Sequence, residues 1–381
     1  MALIPNYSMK KILFIFGTRP EAIKLAPLIK KFEDKKKYFN SIVCSTGQHK
    51  EMLDQVVDFF KLQIDYDLKL MKKNQTLSSL SSNILSALDE VMSEVEPDYV
   101  FVHGDTTTST FAAISAFYNQ VPVCHIEAGL RTFNKYSPYP EEMNRSITGR
   151  IADYHFSPTL ESKQNLVKEN IDEKSILVTG NTVIDALLFA VNELKTYENN
   201  EIKNLKSLLV KGKKNILVTG HRRENFGTGF ENICNALLEI ANDDNVQIIY
   251  PVHLNPNVTS VVERILGNHN NIHLINPLNY PAFVWLMSKS TLILTDSGGV
   301  QEEAPSLGVP VLVMRNNTER PEGVEEGTAL LVGTDQEKIV NTTQKLLNDP
   351  IFYDSISKIN NPYGDGNSSK NILNFLKDLD S

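Results

Sequence analysis

The feature that most constrains the fold of this chain is the regular alternation of short apolar segments with helical segments. Residues 11–16 read as a buried strand, Gly17 as its turn, and residues 20–32 as a helix with a proline in the first turn. This alternation is typical of α/β proteins with parallel sheets. A second series of the same kind begins near residue 214, so we predict two such units.

The predicted strands fall into these two series. The first series comprises residues 11–16, 41–45, 98–103, 121–126, 154–157 and 176–179. The second comprises residues 215–219, 246–250, 272–275, 292–295, 309–314 and 329–332. The chain ends in a segment with one apolar helical face, formed by Ile372, Phe375, Leu376 and Leu379, which predicts a helix that packs against the rest of the molecule.

Composition and charge exclude several classes of protein. The 381 residues suit two domains of ordinary size, and the sequence has no run of about 18 apolar residues that would span a membrane. A net charge of −8 without a long basic stripe argues against a nucleic-acid binder. Three scattered cysteines favour reduced, buried thiols and a cytoplasmic location. We interpret residues 1–8, which lack signal-peptide features, as an extension before a start at Met9.

The segment Thr295-Asp-Ser-Gly-Gly-Val-Gln-Glu-Glu-Ala304 is the strongest candidate for a ligand site. Here a buried strand runs through Ser297, Gly298 and Gly299 directly into a helix. Glycines allow close approach of a ligand to the backbone, and the N–H groups of a helix N-terminus suit a diphosphate. Glu303, about one turn into the helix, can accept both hydroxyls of a ribose. The alternative is an ordinary turn between a strand and a helix.

The segment Gly17-Thr-Arg-Pro-Glu-Ala-Ile-Lys24 is its counterpart in the first half. It matches neither GxGxxG nor the P-loop, since it has one glycine and no Gly-Lys-Ser/Thr ending. Arg19 and Lys24 flank a helix start at the carboxyl end of a strand, where open α/β sheets bind ligands. They can grip a phosphate or stabilise a leaving group. The alternative is a pair of solvated side chains.

Three sites in the first half carry carboxylates at strand or helix ends. Asp105 follows a strand and precedes a helix, so an ordinary helix N-cap is the alternative. Glu127 ends a strand. Glu141 and Glu142 follow a proline at the start of a helix, where the dipole favours an ionised carboxylate that suits a base.

In the second half, His221 follows a strand within Thr219-Gly-His-Arg-Arg-Glu-Asn225. Its neighbours Arg222 and Arg223 favour a functional role, while a purely structural histidine is the alternative. Two other patterns are set aside: we interpret Asp65-Tyr-Asp67 as structural, and the remaining histidines lack the spacing of a zinc site. No metal is predicted.

Taken together, these segments resemble the non-hydrolysing UDP-N-acetylglucosamine 2-epimerase family, over nearly the whole chain from Met9. The matching segments are FGTRPEAIK (16–24), VHGDTTT (102–108), HIEAGLRT (125–132), YSPYPEEMNR (136–145), GNTVIDAL (180–187), VTGHRREN (218–225), YPVHLNP (250–256), TDSGGVQEEAPSLG (295–308) and NPYGDG (361–366).

The resemblance implies two Rossmann-like domains with a deep interdomain cleft, the GT-B-type architecture. The first domain would comprise residues 9–179 and be completed by a C-terminal helix at 368–381 that packs back on it. The second would comprise residues 180–367. The resemblance also implies a homodimer that needs neither a metal nor a redox cofactor.

The resemblance further implies roles for individual residues. The catalytic set would be Asp105, Glu127, Glu141 and His221. The set that binds the nucleotide or its phosphates would be Arg19, Lys24, Phe283, Ser297, Gly298, Gly299, Glu303 and Arg320, of which Phe283 and Arg320 follow from resemblance alone. Gln48, His49 and Arg222 would belong to a second, allosteric site for UDP-N-acetylglucosamine.

The implied reaction is reversible C2 epimerisation of UDP-N-acetylglucosamine to UDP-N-acetylmannosamine, for surface polysaccharide precursors. It would proceed by elimination of UDP to a 2-acetamidoglucal and re-addition, with acid and base left unassigned among the carboxylates. Alternatives are epimerisation of a modified UDP-2-acetamido sugar, a hydrolysing relative, a UDP-sugar glycosyltransferase of the same architecture, and a catalytically silent nucleotide-sugar sensor.

Overall fold

The structure, a computed structural model, describes residues 9–47, 50–72 and 74–379. The chain divides into two compact units. The first contains the residues up to 186 together with those from 364 onward, and the second contains residues 187–363. These limits fall a few residues from the predicted boundaries at 179–180 and 367–368.

The strands of the described chain fall in the two predicted series. They are β1 (Lys10–Phe16), β2 (Phe39–Ser45), β3 (Tyr66–Asp67), β4 (Tyr99–His103), β5 (Val123–Ile126), β6 (Tyr154–Ser157), β7 (Ile176–Val178), β8 (Lys214–Thr219), β9 (Val246–Pro251), β10 (Ile272–Ile275), β11 (Leu292–Thr295), β12 (Val311–Val313) and β13 (Ala329–Leu331). Strand β3 was not predicted, because a two-residue strand leaves no periodic pattern in the sequence.

Helices connect the strands throughout. They are α1 (Arg19–Glu33), α2 (Lys50–Phe60), α3 (Leu77–Val95), α4 (Thr107–Tyr118), α5 (Glu141–Ile151), α6 (Leu160–Lys168), α7 (Thr182–Glu193), α8 (Asn200–Leu208), α9 (Thr228–Ile240), α10 (Pro256–Leu266), α11 (Tyr280–Ser288), α12 (Gly298–Glu303), α13 (Pro321–Glu325), α14 (Gln336–Asn348), α15 (Pro350–Ser357) and α16 (Ser368–Leu379). Within the described ranges, none of them combines the length and apolar character that a membrane span requires.

The first unit is built on a parallel sheet whose described strands run in the order β3-β2-β1-β4-β5-β6-β7. Central strands such as Val100–Val102 are fully buried and apolar, as expected where helices cover both faces of a sheet. The order reverses between β1 and β4. Because open α/β sheets bind ligands at such switch points, the loops after these two strands are the expected site. Asp105 lies in the loop after β4, and Arg19 begins the helix that follows the loop after β1.

The second unit repeats this plan, and its described strands run in the order β10-β9-β8-β11-β12-β13, all parallel. Its core includes Ile216, Val218 and Leu294. Here the order reverses between β8 and β11. The loops after these strands hold His221 and the 297–299 segment, so the predicted α/β fold class is confirmed and places both candidates at a switch point.

The C-terminal helix α16 belongs to the first unit. It packs against α1, and the ring of Phe375 lies edge-on to Tyr154 and Phe156, with centroids 5.5 Å away in each case. The buried carboxylate of Asp185 in α7 accepts hydrogen bonds from the backbone N–H groups of Ser368 (3.2 Å) and Ser369 (2.8 Å). The predicted docking of this helix on the first domain is confirmed, and the contact explains why the start of α7 belongs to the first unit.

Candidate active site

Glu127 lies among polar and charged side chains in the first unit. Its buried carboxylate forms an ion pair with Lys24, accepts a 2.9 Å hydrogen bond from Asn181 Nδ2, and lies 3.8 Å from His103 Nε2. Its backbone has a φ of +62°, in the left-handed region that costs a glutamate about 1–2 kcal/mol. Strained residues of this kind cluster at functional sites.

Asp105 lies close enough to Glu127 and Lys24 for their charges to act on it. Its carboxylate forms a 2.6 Å ion pair with Arg145. Burial raises the pKa of Asp105; the positive charges of Arg145 and Lys24 lower it, and the negative charges of Glu127 and Glu141 raise it further. The structure therefore places Glu127 and Glu141 close enough to Asp105 to affect its protonation.

The alternative role of Asp105 as a helix cap is not what the structure shows. The N-cap of α4 is Thr106, whose hydroxyl accepts the backbone N–H of Ser109 at 3.0 Å. The backbone carbonyl of Asp105 instead accepts a 2.9 Å hydrogen bond from Asn144 Nδ2. The Asp105 side chain is thus available for the ion pair with Arg145.

The two neighbouring glutamates at the start of α5 have different environments. Glu142 is buried and accepts hydrogen bonds from the backbone N–H groups of Thr132 (3.0 Å) and Phe133 (2.9 Å). Its role is to hold the preceding loop. Glu141 is half-buried and close enough to Asp105 to affect its charge. Of the pair, Glu142 is the one tied to the loop, and the catalytic role of Glu141 stays a prediction.

The loops after β1 and β4 are tied together by Glu21, a buried residue that the sequence did not single out. Its carboxylate accepts hydrogen bonds from Thr18 N (2.7 Å), Gly17 N (3.1 Å) and Thr106 Oγ1 (2.7 Å). Burial raises the pKa of Glu21. This contact fixes the start of α1, where half-buried Arg19 is the first residue, beside the loop that carries Asp105.

Buried His103 predicts a measurable pH dependence of stability. Burial lowers its pKa from 6.5 to about 4, the Glu127 carboxylate opposes that shift, and Lys24 adds to it. The unfolded chain therefore binds more protons between these values. The free energy of unfolding should fall as pH falls from 6.5 towards 4, by at most about 1.4 kcal/mol per pH unit for this group.

Urea unfolding of the wild type and of His103→Gln, followed by circular dichroism between pH 4 and 7, tests this. The difference between the two unfolding free energies should change with pH in that window, since the variant lacks the titrating group. Curves that stay parallel would contradict a buried, neutral His103.

In the second unit, the Ser297–Gly299 segment begins a helix as predicted. Helix α12 starts at Gly298, and its N-cap Ser297 makes no side-chain capping bond. A Cβ atom at Gly298 would lie 3.9 Å from the guanidinium carbon of Arg320, so this arginine lies over the helix start. Arg320 is also ion-paired to buried Glu302. A Cβ at Gly299 would lie 3.8 Å from Glu303 Oε2, so Glu303 faces the same turn.

His221 lies at the neighbouring loop of the same unit and is partly exposed. Its Nδ1 is 3.5 Å from Asp296 Oδ1, and its ring stacks on His253 with centroids 5.1 Å apart and planes at 11°. Burial lowers the pKa of His221, the Asp296 carboxylate raises it, and His253 and Arg222 lower it. Asp296 directly precedes Ser297 in the chain. Its contact with His221 therefore holds the histidine next to the predicted phosphate-binding segment.

Comparison with known proteins decides the family. The family model for UDP-N-acetylglucosamine 2-epimerase matches residues 31–377. This chain belongs to the UDP-N-acetylglucosamine 2-epimerase family. The enzyme of that name from Salmonella typhimurium is 54% identical over 370 residues, covering 96% of this chain and 98% of its relative. The resemblance inferred from the sequence is confirmed.

Solved structures of UDP-N-acetylglucosamine 2-epimerases have the same fold. The Neisseria meningitidis enzyme, crystallised with UDP-GlcNAc, is 49% identical, with a TM-score of 0.87 over 97% of this chain and 100% of that one. The Methanocaldococcus jannaschii enzyme in complex with UDP-GlcNAc and UDP is 33% identical, with a TM-score of 0.77 over 96% and 99%.

The structure does not decide the predicted roles of some residues that follow from the family resemblance. Phe283 is half-buried on α11, a helix whose other apolar residues are mostly buried. The backbone N–H of Arg222 donates to Asp296 Oδ2. Gln48 and His49 lie outside the described residues. The roles of all three allosteric candidates stay predictions.

Some residues of this epimerase-family chain that contact the candidates were not predicted from its motifs. They are His103, Arg145, Asn181 and Asp296. Each lies inside or beside a matching segment, but its partner is at least 24 positions away in the chain. Only the positions of His103 and Asp296, each at or next to the carboxyl end of a strand, offered a signal in the sequence.

Proposed function

We propose that this chain catalyses the reversible C2 epimerisation of UDP-N-acetylglucosamine to UDP-N-acetylmannosamine. Membership of the family and relatives that carry this name support the proposal. The observation that carries it is the grouping of Asp105, Glu127 and Glu141 with the cations Lys24 and Arg145 in one electrostatic neighbourhood. Epimerisation needs carboxylates that move a proton at C2, and this unit supplies them.

The chemistry explains why a leaving-group site must accompany these carboxylates. The C2 hydrogen of the sugar has no adjacent carbonyl, so simple deprotonation would leave an unstabilised carbanion. In the proposed route the C1–O bond breaks, UDP leaves with its electron pair, and a carboxylate takes the C2 proton. The C2–H electrons form the double bond of a 2-acetamidoglucal. A proton then returns to the opposite face of C2 while UDP re-adds at C1.

The first unit supplies the proton transfers in this proposal. Carboxylates must reach both faces of C2, since one face loses a proton and the other gains one. Asp105 is one of these carboxylates, and the burial that raises its pKa makes it easier for this group to take up a proton. Glu127 and Glu141 supply the remaining carboxylates, and Lys24 and Arg19 provide positive charge for the phosphates.

The second unit supplies the nucleotide site in this proposal. The N–H groups at the start of α12, the Ser297 hydroxyl and the Arg320 guanidinium would stabilise charge that develops on departing UDP. Glu303 would accept the ribose hydroxyls, and Phe283 would contact the nucleotide. His221 lies next to this segment.

Several wider features belong to the same proposal. The reaction would need neither a metal nor a redox cofactor. The buried free thiols Cys44, Cys124 and Cys234 support a cytoplasmic location. Assembly as a homodimer, an allosteric UDP-N-acetylglucosamine site and service to surface polysaccharide synthesis are further predictions.

Proton NMR of the purified protein with UDP-N-acetylglucosamine alone tests the function. We expect signals of UDP-N-acetylmannosamine to grow until both sugars reach a constant ratio, and the same ratio to be reached from the manno side. A glycosyltransferase would produce no interconversion, and a hydrolysing enzyme would release free N-acetylmannosamine. Either result would contradict the proposal. The incubation without protein is the control.

A further inference from the structure

Asp296 follows β11 directly in the chain, and its side chain links this end of the strand to the loop that carries His221. Its side chain is completely buried, and its Oδ2 accepts hydrogen bonds from the backbone N–H groups of His221 and Arg222, both at 2.7 Å. Its own backbone N–H donates to Thr219 O at 3.1 Å. One carboxylate therefore determines where the histidine backbone lies relative to the Ser297–Gly299 segment that follows it.

The second oxygen of this carboxylate has one evident partner. Asp296 Oδ1 is buried and, among the described residues, accepts no hydrogen bond of good geometry. The imidazole Nδ1 of His221 lies 3.5 Å from it. A buried acceptor without a donor is costly, and hydrogen bonds at active sites often tighten only when ligand binds. A proton on Nδ1 would satisfy this oxygen after a small movement of the ring.

We propose that Asp296 is a positioning residue that holds His221 in the tautomer with its proton on Nδ1, which leaves Nε2 as an acceptor. The tautomer itself does not depend on the proposed function. Only its use in epimerisation rests on that function. An acceptor at Nε2 can take a hydrogen bond from a hydroxyl of the sugar. The opposite tautomer would place a lone pair of Nδ1 against the carboxylate and present a donor instead.

The other groups around the ring agree with a neutral imidazole. His253 stacks on one face of His221, and the Arg222 guanidinium lies close enough to disfavour a second positive charge. Burial is the largest of the effects that lower the pKa of His221, and the Asp296 carboxylate opposes them. The main effect of the Asp296 carboxylate is therefore to determine which nitrogen of His221 carries the single proton.

Long-range ¹⁵N–¹H correlation spectra of protein labelled with ¹⁵N-histidine report the tautomer directly. The signals of His221 are assigned by their loss in His221→Gln. We expect the wild type at neutral pH to show a protonated Nδ1 and an unprotonated Nε2. A protonated Nε2 in the wild type would overturn the proposal, whether or not any variant folds and whether or not the protein is an epimerase.

Asp296→Asn should reverse the tautomer. Its amide oxygen can still accept the N–H groups of His221 and Arg222, while its NH₂ group would point at Nδ1 and make that nitrogen an acceptor. Tyr250→Phe is the matched control, because it removes the 2.8 Å hydrogen bond from Tyr250 Oη to Gly220 O in the same loop without touching Asp296. That control should keep the wild-type tautomer. An unchanged tautomer in Asp296→Asn would overturn the proposal.

Kinetics then separate positioning from a structural role. We expect Asp296→Asn to lower kcat by on the order of 10- to 100-fold with UDP binding nearly unchanged, because a donor at Nε2 would face the sugar hydroxyl and leave that hydrogen bond unmade. In the His221→Gln background the same change should cost less than about 2-fold, because residues that act through one another are not additive. Losses that multiply in the double variant, or loss of UDP binding in Asp296→Asn, would contradict an action through His221.

Discussion

Asp105→Asn and Glu141→Gln should each lower kcat for epimerisation by roughly 10²-fold or more and leave UDP binding nearly intact. Both variants keep the shape of the side chain and remove its ability to exchange a proton. Asp105 is the better placed of the two, since it is ion-paired with Arg145 at 2.6 Å and its pKa is raised by burial. Binding should persist because neither residue is assigned to the nucleotide or its phosphates. Steady-state kinetics and calorimetric titration with UDP measure the two quantities.

A matched control is available on the surface of the same unit. Glu90 is exposed on α3, and Glu90→Gln removes one carboxylate without touching the candidate site. Its kcat should equal that of the wild type. Near-normal turnover in both Asp105→Asn and Glu141→Gln would remove these two residues from the mechanism, even if epimerisation itself is observed.

Deuterium from D₂O should enter C2 of essentially every product molecule. In the proposed route the C2 proton passes to a carboxylate, where it exchanges with solvent before a proton returns to the other face. A hydride transferred to and from a cofactor would keep the original hydrogen. Proton NMR of the product, with loss of the C2–H signal, measures the exchange. Product without deuterium would contradict elimination.

An oxygen label tests breakage of the C1–O bond separately. ¹⁸O placed in the bridging C1–O position should migrate to a non-bridging position of the β-phosphate, because the phosphate can rotate while UDP is detached. Phosphorus NMR detects the move. A carbanion route leaves this bond intact and gives deuterium without migration. If the groups that bind the phosphate prevent rotation, direct detection of the 2-acetamidoglucal in quenched reactions decides between the two routes.

The pattern of the sequence determined the strands and the loops that carry the candidates. Buried parallel strands such as β4 and β11 leave short apolar runs that are visible without a structure, and the polar residues that follow them mark the ligand-binding edge. Asp105, His221 and the Ser297–Gly299 segment were located in this way. The resemblance over nearly the whole chain supplied the family, which the comparisons confirm.

Only the tertiary structure decided which of these polar groups has which partner. Glu141 and Glu142 are adjacent, and the sequence offers no way to tell their roles apart. In the structure, the carboxylate of Glu142 accepts hydrogen bonds from the backbone N–H groups of Thr132 and Phe133. Thr106, and not Asp105, caps α4. Asp296 reads as part of a turn, but its carboxylate is buried against His221, 75 positions away in the chain. Strand and helix periodicity is a local property of the chain, whereas the partner of a buried carboxylate depends on how distant strands are ordered in the sheet.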